Sequence, residues 1–204
     1  MSPTQQERTE LTTTSLVAAG RELFAADGYA ATSLDAVVDR AGVTKGALYH
    51  HFAGKRELFA AVFEAEQRRL NEVVAVAYTG IEDPWEAFEA GCRAFVEACQ
   101  EPGAQRIFLL DAPVALGWEA IRRIESGSLE LMVTGIEAAV EAGRIETGSP
   151  RQLAHLLFGA VCESAMVVAR ADDQAAALRE SVAELGRVLR SLASTGPSGR
   201  TARP

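Results

Sequence analysis

The stretch Ala41-Gly42-Val43-Thr44-Lys45-Gly46-Ala47-Leu48-Tyr49-His50-His51-Phe52 stops one helix and starts another two residues later. Gly42 ends the first, Thr44 offers a hydroxyl to cap the second, and Ala53-Gly54 breaks that second helix while it is still short. Its inward positions are Val43, Leu48 and Phe52. Just upstream, Thr32-Ser33-Leu34-Asp35 has the form of an N-terminal capping signal, and Leu34, Val37, Val38 and Ala41 follow at i, i+3, i+4 and i+7. Two short helices joined by a glycine-containing turn have the layout of a helix-turn-helix, whose second helix enters the major groove of DNA.

The residues of the second helix suit that surface. Thr44 places a hydroxyl and free backbone N–H groups at the positive end of the helix, where a phosphate is attracted. Lys45 can reach the N7 and O6 acceptors of guanine, Gly46 and Ala47 let the backbone approach the bases, and Ala47 can touch a thymine methyl. Tyr49 and His50 project at the far end of the same face. Tyr49 can instead pack on the first helix with only its hydroxyl wet, and His51 can cap or pack rather than touch DNA. Lys55 opens the next helix, where the dipole disfavours a cation, so its presence calls for a reason; neutralising a phosphate is one. A short polar helix with glycine near its start is a poor structural element unless its exposed face contacts something.

The formal net charge of −8 over 204 residues would speak against nucleic acid, but the acids are not evenly spread. Residues 1–56 hold six basic and six acidic side chains, leaving 14 basic and 22 acidic beyond. Between Val43 and Arg56 there are three positive charges, two histidines and no acid, and Lys45 and Lys55 are the only lysines of the chain. With 48% hydrophobic and 24% charged residues, one or two globular domains are expected. The first residues carry no apolar run after their charges, so no secretory signal is expected and the location is expected to be cytoplasmic. Leu153 to Ala169, the most apolar segment, is broken by His155, Glu163 and Ser164, which argues against a membrane span. Cys92, Cys99 and Cys162 are an odd count without a Cys-x-x-Cys pair; they are expected as buried thiols, with no disulfide framework, metal site or cofactor.

Leu16, Ala19, Leu23 and Phe24 predict a first helix from roughly Thr13 to Asp27. Beyond Gly54, helical periodicity runs from Lys55 to about Tyr78, from Asp83-Pro84 to Pro102, from Trp118 to Ala142, from Gln152 to Arg170 and from Asp173 to Leu192. Arg106 to Leu110 reads as a brief apolar stretch stopped by Pro113. No alternating strand runs or repeats intervene, so the expected fold is all-α, with about nine helices. Its expected parts are a helix-turn-helix domain over 1–54, a helical regulatory and dimerisation domain over 55–193, and a tail over 194–204 whose lack of apolar residues predicts disorder.

Leu23-Phe24, Gly28-Tyr29, Thr32-Ser33-Leu34, Val37-Val38, the run from Ala41 to Phe52, Lys55 and Leu58-Phe59 together resemble the DNA-binding domain of the TetR family of transcriptional repressors. The resemblance covers roughly residues 12 to 65. It implies that Thr44, Tyr49 and Lys55 touch phosphates, that Lys45, Gly46, Ala47 and His50 face the bases, and that Ser33 anchors the backbone. Many relatives carry an arginine early in the first helix. Here Thr12, Thr13 and Thr14 stand there, so any contact from that end is weaker or comes from Arg8. The resemblance also implies that helices four to seven enclose a small-molecule pocket and that the last two helices pair across a twofold axis. Asp111 to Trp118 is similar to a segment found in one subset of the family.

From the residues themselves, the helix with Leu153, Leu156, Leu157, Ala160, Val161, Ala165 and Val168 and the helix with Leu178, Val182, Leu185 and Leu189 have apolar faces wide enough for a core and a partner, so a homodimer is expected. Candidates for a pocket are Trp85, Phe88, Cys92, Phe95, Phe108, Trp118, Met132, Phe158, Cys162 and Met166, with core packing as the alternative for each. His155 and Glu163 join them because they interrupt an apolar helix. No nucleophile elbow, zinc-protease motif, phosphate loop or dinucleotide fingerprint is present, so catalytic residues are not expected. A helical scaffold that binds another protein is the rival to a regulator, and it leaves the basic window unexplained. The expected function is a repressor that binds a near-palindromic operator as a homodimer and is released by a small, largely apolar effector. Ligand and operator then weaken each other by one coupling free energy.

Overall fold

The computed structural model describes residues 4–193; the tail from 194 onward lies outside the described residues. Among them, nine helices follow one another, and the one pairing outside helices is an isolated bridge between Ile145 and Ala193. They are α1 (Gln5–Ala31), α2 (Leu34–Ala41), α3 (Lys45–His51), α4 (Lys55–Ala77), α5 (Pro84–Ala98), α6, α7 (Trp118–Glu141), α8 (Pro150–Ala169) and α9 (Gln174–Leu192). α6 is assembled from Pro102–Ala104, a π-helical segment Gln105–Asp111 and Ala112–Ala115.

Two elements depart from the sequence expectation. α1 begins at Gln5 rather than near Thr13, because Thr4 and Glu7 form a reciprocal capping box: the Thr4 hydroxyl accepts from the Glu7 N–H at 3.2 Å and the Glu7 carboxylate accepts from the Thr4 N–H at 2.6 Å. Thr12 and Thr13 then sit inside the helix and donate to the carbonyls of Arg8 and Thr9. The second departure is α6, which Pro113 does not stop. Pro113 is the second residue of Ala112–Ala115, where the helix returns from π to α bonding, and its missing N–H costs little at such a position.

By packing, the chain divides into two compact units: the described residues up to Leu70 with Ala98–Glu125, and Asn71–Glu97 with Ser126 onward. The division therefore does not fall at Gly54. Leu58, Phe59, Val62 and Phe63 of α4 are all fully buried, and Phe59 meets Phe24 and Tyr29 edge-on at 5.0 and 4.9 Å, so the start of α4 completes the core of the first unit. The same unit holds a buried carboxylate, Glu66, which accepts from the Nε of Arg21 at 2.8 Å and of Arg69 at 2.7 Å. Arg21 also reaches Glu101, the residue that caps α6 through the N–H groups of Gly103 and Ala104. In the second unit α8 and α9 pack on each other, and the Trp85 indole donates to the Leu189 carbonyl at 3.2 Å. α8 is long and apolar enough by composition to cross a membrane, but Ala154, Leu157, Phe158, Val161, Ala165, Val168 and Ala169 are buried in this unit.

Candidate nucleic-acid interface and cavity

The face of α3 follows from how its ends are fixed. Ser33 caps α2 and Thr44 caps α3, each hydroxyl accepting one N–H at 3.1 Å from Ala36 and Ala47 respectively, and Gly42 takes a left-handed conformation (φ 65°) to turn between the helices. Leu48 and Phe52 are buried, which turns Thr44, Lys45, Gly46, Tyr49 and His50 outward together. Tyr49 is 52% exposed, so its ring does not pack on α1 as a core residue. His51 does turn inward: its Nδ1 lies 3.2 Å from the Thr13 hydroxyl, linking α3 to α1. Since that hydroxyl donates to Thr9, its oxygen is left to accept from Nδ1–H.

The two lysines are both engaged. Lys45 pairs with Asp35 at 2.7 Å, and the hydrogen bond to that carboxylate raises the ammonium above its usual range. The pair is open to solvent, so DNA can displace Asp35 at small cost. Lys55 donates to the carbonyls of Ala30 and Thr32 at 3.0 and 2.7 Å and lies 4.8 Å over the Tyr29 ring. This is the reason for a cation in the first turn of α4: it satisfies carbonyls at the end of α1. Lys55 therefore holds the head together, with one ammonium proton left for a phosphate.

In the second unit a cavity of about 330 Å³ lies between α4, α5, α7 and α8. Of the residues proposed from sequence, Phe88, Cys92, Phe95, Met132, Phe158 and Cys162 line it. The others do not. Trp85 is buried against α9 through its indole bond, and Phe108 lies in the first unit, stacked on Phe63 at 4.8 Å. Trp118 is 70% exposed under the Arg122 guanidinium, His155 and Glu163 face solvent, and Met166 is not part of the lining. Helical spacing gives a core residue and a cavity residue the same signal, and the packing decides between the two readings left open for each. Asn71, Tyr78 and Ser128 also line the cavity and were not among the candidates; polarity inside an otherwise apolar helical stripe was the available signal.

Residues 16–62 match the family described as bacterial regulatory proteins, tetR family, and residues 85–192 match the family described as tetracyclin repressor-like, C-terminal domain. The chain belongs to the TetR family. It is 31% identical over 136 residues to the transposon Tn10 TetC protein of Escherichia coli, covering 67% of each chain. It is 36% identical over 91 residues to the transcriptional regulator SrpR of Pseudomonas putida, covering 45% of this chain and 41% of that one. The crystal structure of a TetR-family regulator from Pectobacterium atrosepticum superposes with a TM-score of 0.84 at 36% identity, over 94% of this chain and 98% of the other.

Membership of the TetR family makes the chain a transcriptional regulator. Within that frame the first unit carries a feature that sequence reasoning missed. At Gly28 the backbone of α1 kinks (φ 83°, ψ 166°), which frees the N–H of Tyr29; the Asp111 carboxylate on α6 accepts it at 2.7 Å. Arg106 pairs with Asp111 at 3.4 Å and donates to the Asp27 carbonyl at 3.2 Å, with its guanidinium against Gly28. Asp111 and Arg106 thus clasp α6 to the kink of α1.

Proposed function

We propose that the chain is a ligand-responsive repressor that acts on cytoplasmic DNA, binds a near-palindromic operator as a homodimer and is released by a small, largely apolar effector held in the cavity. The observation that carries the DNA part is the single solvent-facing surface formed by Thr44, Lys45, Gly46, Tyr49 and His50 on a helix whose other side is anchored by Leu48, His51 and Phe52. In this reading Thr44 and Tyr49 meet phosphates, with Ser33 at the start of α2 as a backbone anchor, and Lys45, Gly46, Ala47 and His50 meet base edges. Lys55 and His51 contribute mainly by fixing α3 and α4 to α1.

Selection from random duplex DNA tests this directly. The wild-type protein should enrich a twofold-symmetric sequence with half-sites about 34 Å apart. The Lys45→Ala, Tyr49→Ala variant should enrich none; both side chains are exposed, so the loss is not one of folding. Lys45→Ala alone should relax the preference at one position per half-site, and a uniform loss across base variants would take Lys45 off the base-reading face. Binding should weaken steeply with salt through counterion release.

The homodimer is supported by an unpartnered stripe on α8: Leu156 (71% exposed), Gly159, Ala160, Glu163 and Val167 recur at helical spacing, beside exposed Val188 and Leu192 on α9. Glu163 belongs to this stripe and not to the cavity. Leu156→Glu with Val188→Glu should convert a dimer to a monomer in light scattering and abolish operator binding at nanomolar protein. A dimer that survives both substitutions would move the interface elsewhere.

A further inference from the structure

We propose that the molecule taken by the cavity is uncharged: a compact, mainly hydrocarbon compound whose polar contacts come from Tyr78 and from the hydrogen-bonded pair Asn71–Ser128. The inference rests on the reading of this cavity as the effector site and narrows the chemical class that it accepts.

Seventeen residues line the cavity and none of them is Asp, Glu, Lys, Arg or His. A carboxylate, phosphate or ammonium buried there would lose its water and find no opposite charge on the walls to replace it. The walls offer rings and sulfur: Phe88, Phe95 and Phe158 with Met132, Cys92 and Cys162. Phe88 is itself held in place by stacking on Trp85 at 5.1 Å.

The polar groups of the lining are neutral and remain so. Ser128, almost fully buried on α7, donates to the Asn71 Oδ1 on α4 at 3.0 Å. The Thr134 hydroxyl donates to its own helix at Glu130. Burial raises the Tyr78 phenol to about 12, with the Cys92 thiol adding to the effect; burial and the nearby Glu89 raise that thiol to about 12 as well. Neither group ionises near neutral pH, so the walls supply no charge to balance one on a ligand. Tyr78 is seated by Gly91 on α5, where any Cβ would fall on the tyrosine ring. Gly135 on α7 likewise makes room for Phe88, at 3.1 Å from where a Cβ would stand. A side chain at either glycine would push its ring out of its present place.

Two fluorescent probes with one skeleton test the proposal: N-phenyl-1-naphthylamine, which is neutral, and 8-anilinonaphthalene-1-sulfonate, which adds a sulfonate. Each is titrated into the full chain and into Cys162→Phe, which fills the cavity from α8, or Ala138→Phe, which fills it from α7 should the first not fold. The neutral probe should bind saturably, lose its site in the filled variant, and bind more than about a hundredfold tighter than the sulfonate. If both probes bind within tenfold of each other and both are lost in the filled variant, the cavity is a ligand site but charge is tolerated, and the inference fails alone. If neither probe binds the wild-type chain at a site that filling removes, the effector reading of the cavity fails and takes the inference with it. In competition against the neutral probe, Tyr78→Phe should weaken 1-naphthol by about fivefold and leave naphthalene unchanged. An equal effect on both would remove Tyr78 as the polar contact.

Discussion

Gly28→Ala should lower the melting temperature by about 6–12 °C and weaken operator binding with it, whereas Gly42→Ala should cost no more than about 2–4 °C. Both glycines have positive φ, yet they differ in kind. Gly42 sits in the ordinary left-handed helical region (φ 65°, ψ 31°) with no atom within 4 Å of a built Cβ, so alanine pays only the left-handed penalty of about 1 kcal/mol. Gly28 combines φ 83° with ψ 166°, a region open to glycine almost alone, at a cost of about 1–3 kcal/mol for any other residue. Its Cβ would also fall on the Arg106 guanidinium. Arg106 can move, being partly exposed, but moving it breaks its bonds to the Asp27 carbonyl and to Asp111, worth about 1 kcal/mol more. Operator binding suffers as well because Thr32, with its hydroxyl 2.8 Å from the Gly28 carbonyl, sits directly before the Ser33 cap of α2. Thermal unfolding followed by circular dichroism, with both single variants in one buffer, reads the difference. Equal shifts at the two glycines would mean that the kink is not strained and that the clasp from α6 contributes little.

How far the sequence foretold this structure depends on the range over which each interaction acts. α2, its left-handed stop at Gly42 and the Thr44 cap are settled by residues within four positions of one another, and they are where the periodicity put them. The all-α fold was legible for the same reason. α6 was not, because a π segment followed by Pro113 looks like an interrupted apolar stretch until Asp111 and Arg106 are seen against a kink some 80 residues earlier in the chain. Lys55 shows the same limit. Its misfit with the helix dipole was visible, but its partners Ala30 and Thr32 are backbone carbonyls, which no side-chain pattern announces. For the cavity the difficulty is one of degree: Phe88 and Phe108 have identical chemistry and similar helical spacing, and only tertiary packing sends one to the cavity and stacks the other on Phe63.

Glu125→Gln should stabilise the chain by about 2–3 kcal/mol at pH 8 and by almost nothing at pH 4.5. Glu125 on α7 is 7% exposed, and burial raises its carboxyl to about 7, with Arg122 at 3.8 Å only partly opposing the shift. In the unfolded chain the same group titrates near the ordinary carboxylate value, so between about pH 4.5 and 7 the folded state holds a proton that the unfolded state has lost. Unfolding then releases a proton, and stability falls as pH rises through that window, levelling off once the folded group has ionised as well. A carboxylate whose native bonds lowered it would act in the opposite direction, losing stability on acidification. Glutamine keeps the shape and stays neutral, so it removes the slope and leaves the low-pH value in place. Denaturant midpoints measured for both chains at pH 4.5, 6 and 8 should diverge progressively with pH. Parallel curves would show that water reaches Glu125 on α7 and that the carboxylate is charged at no cost throughout.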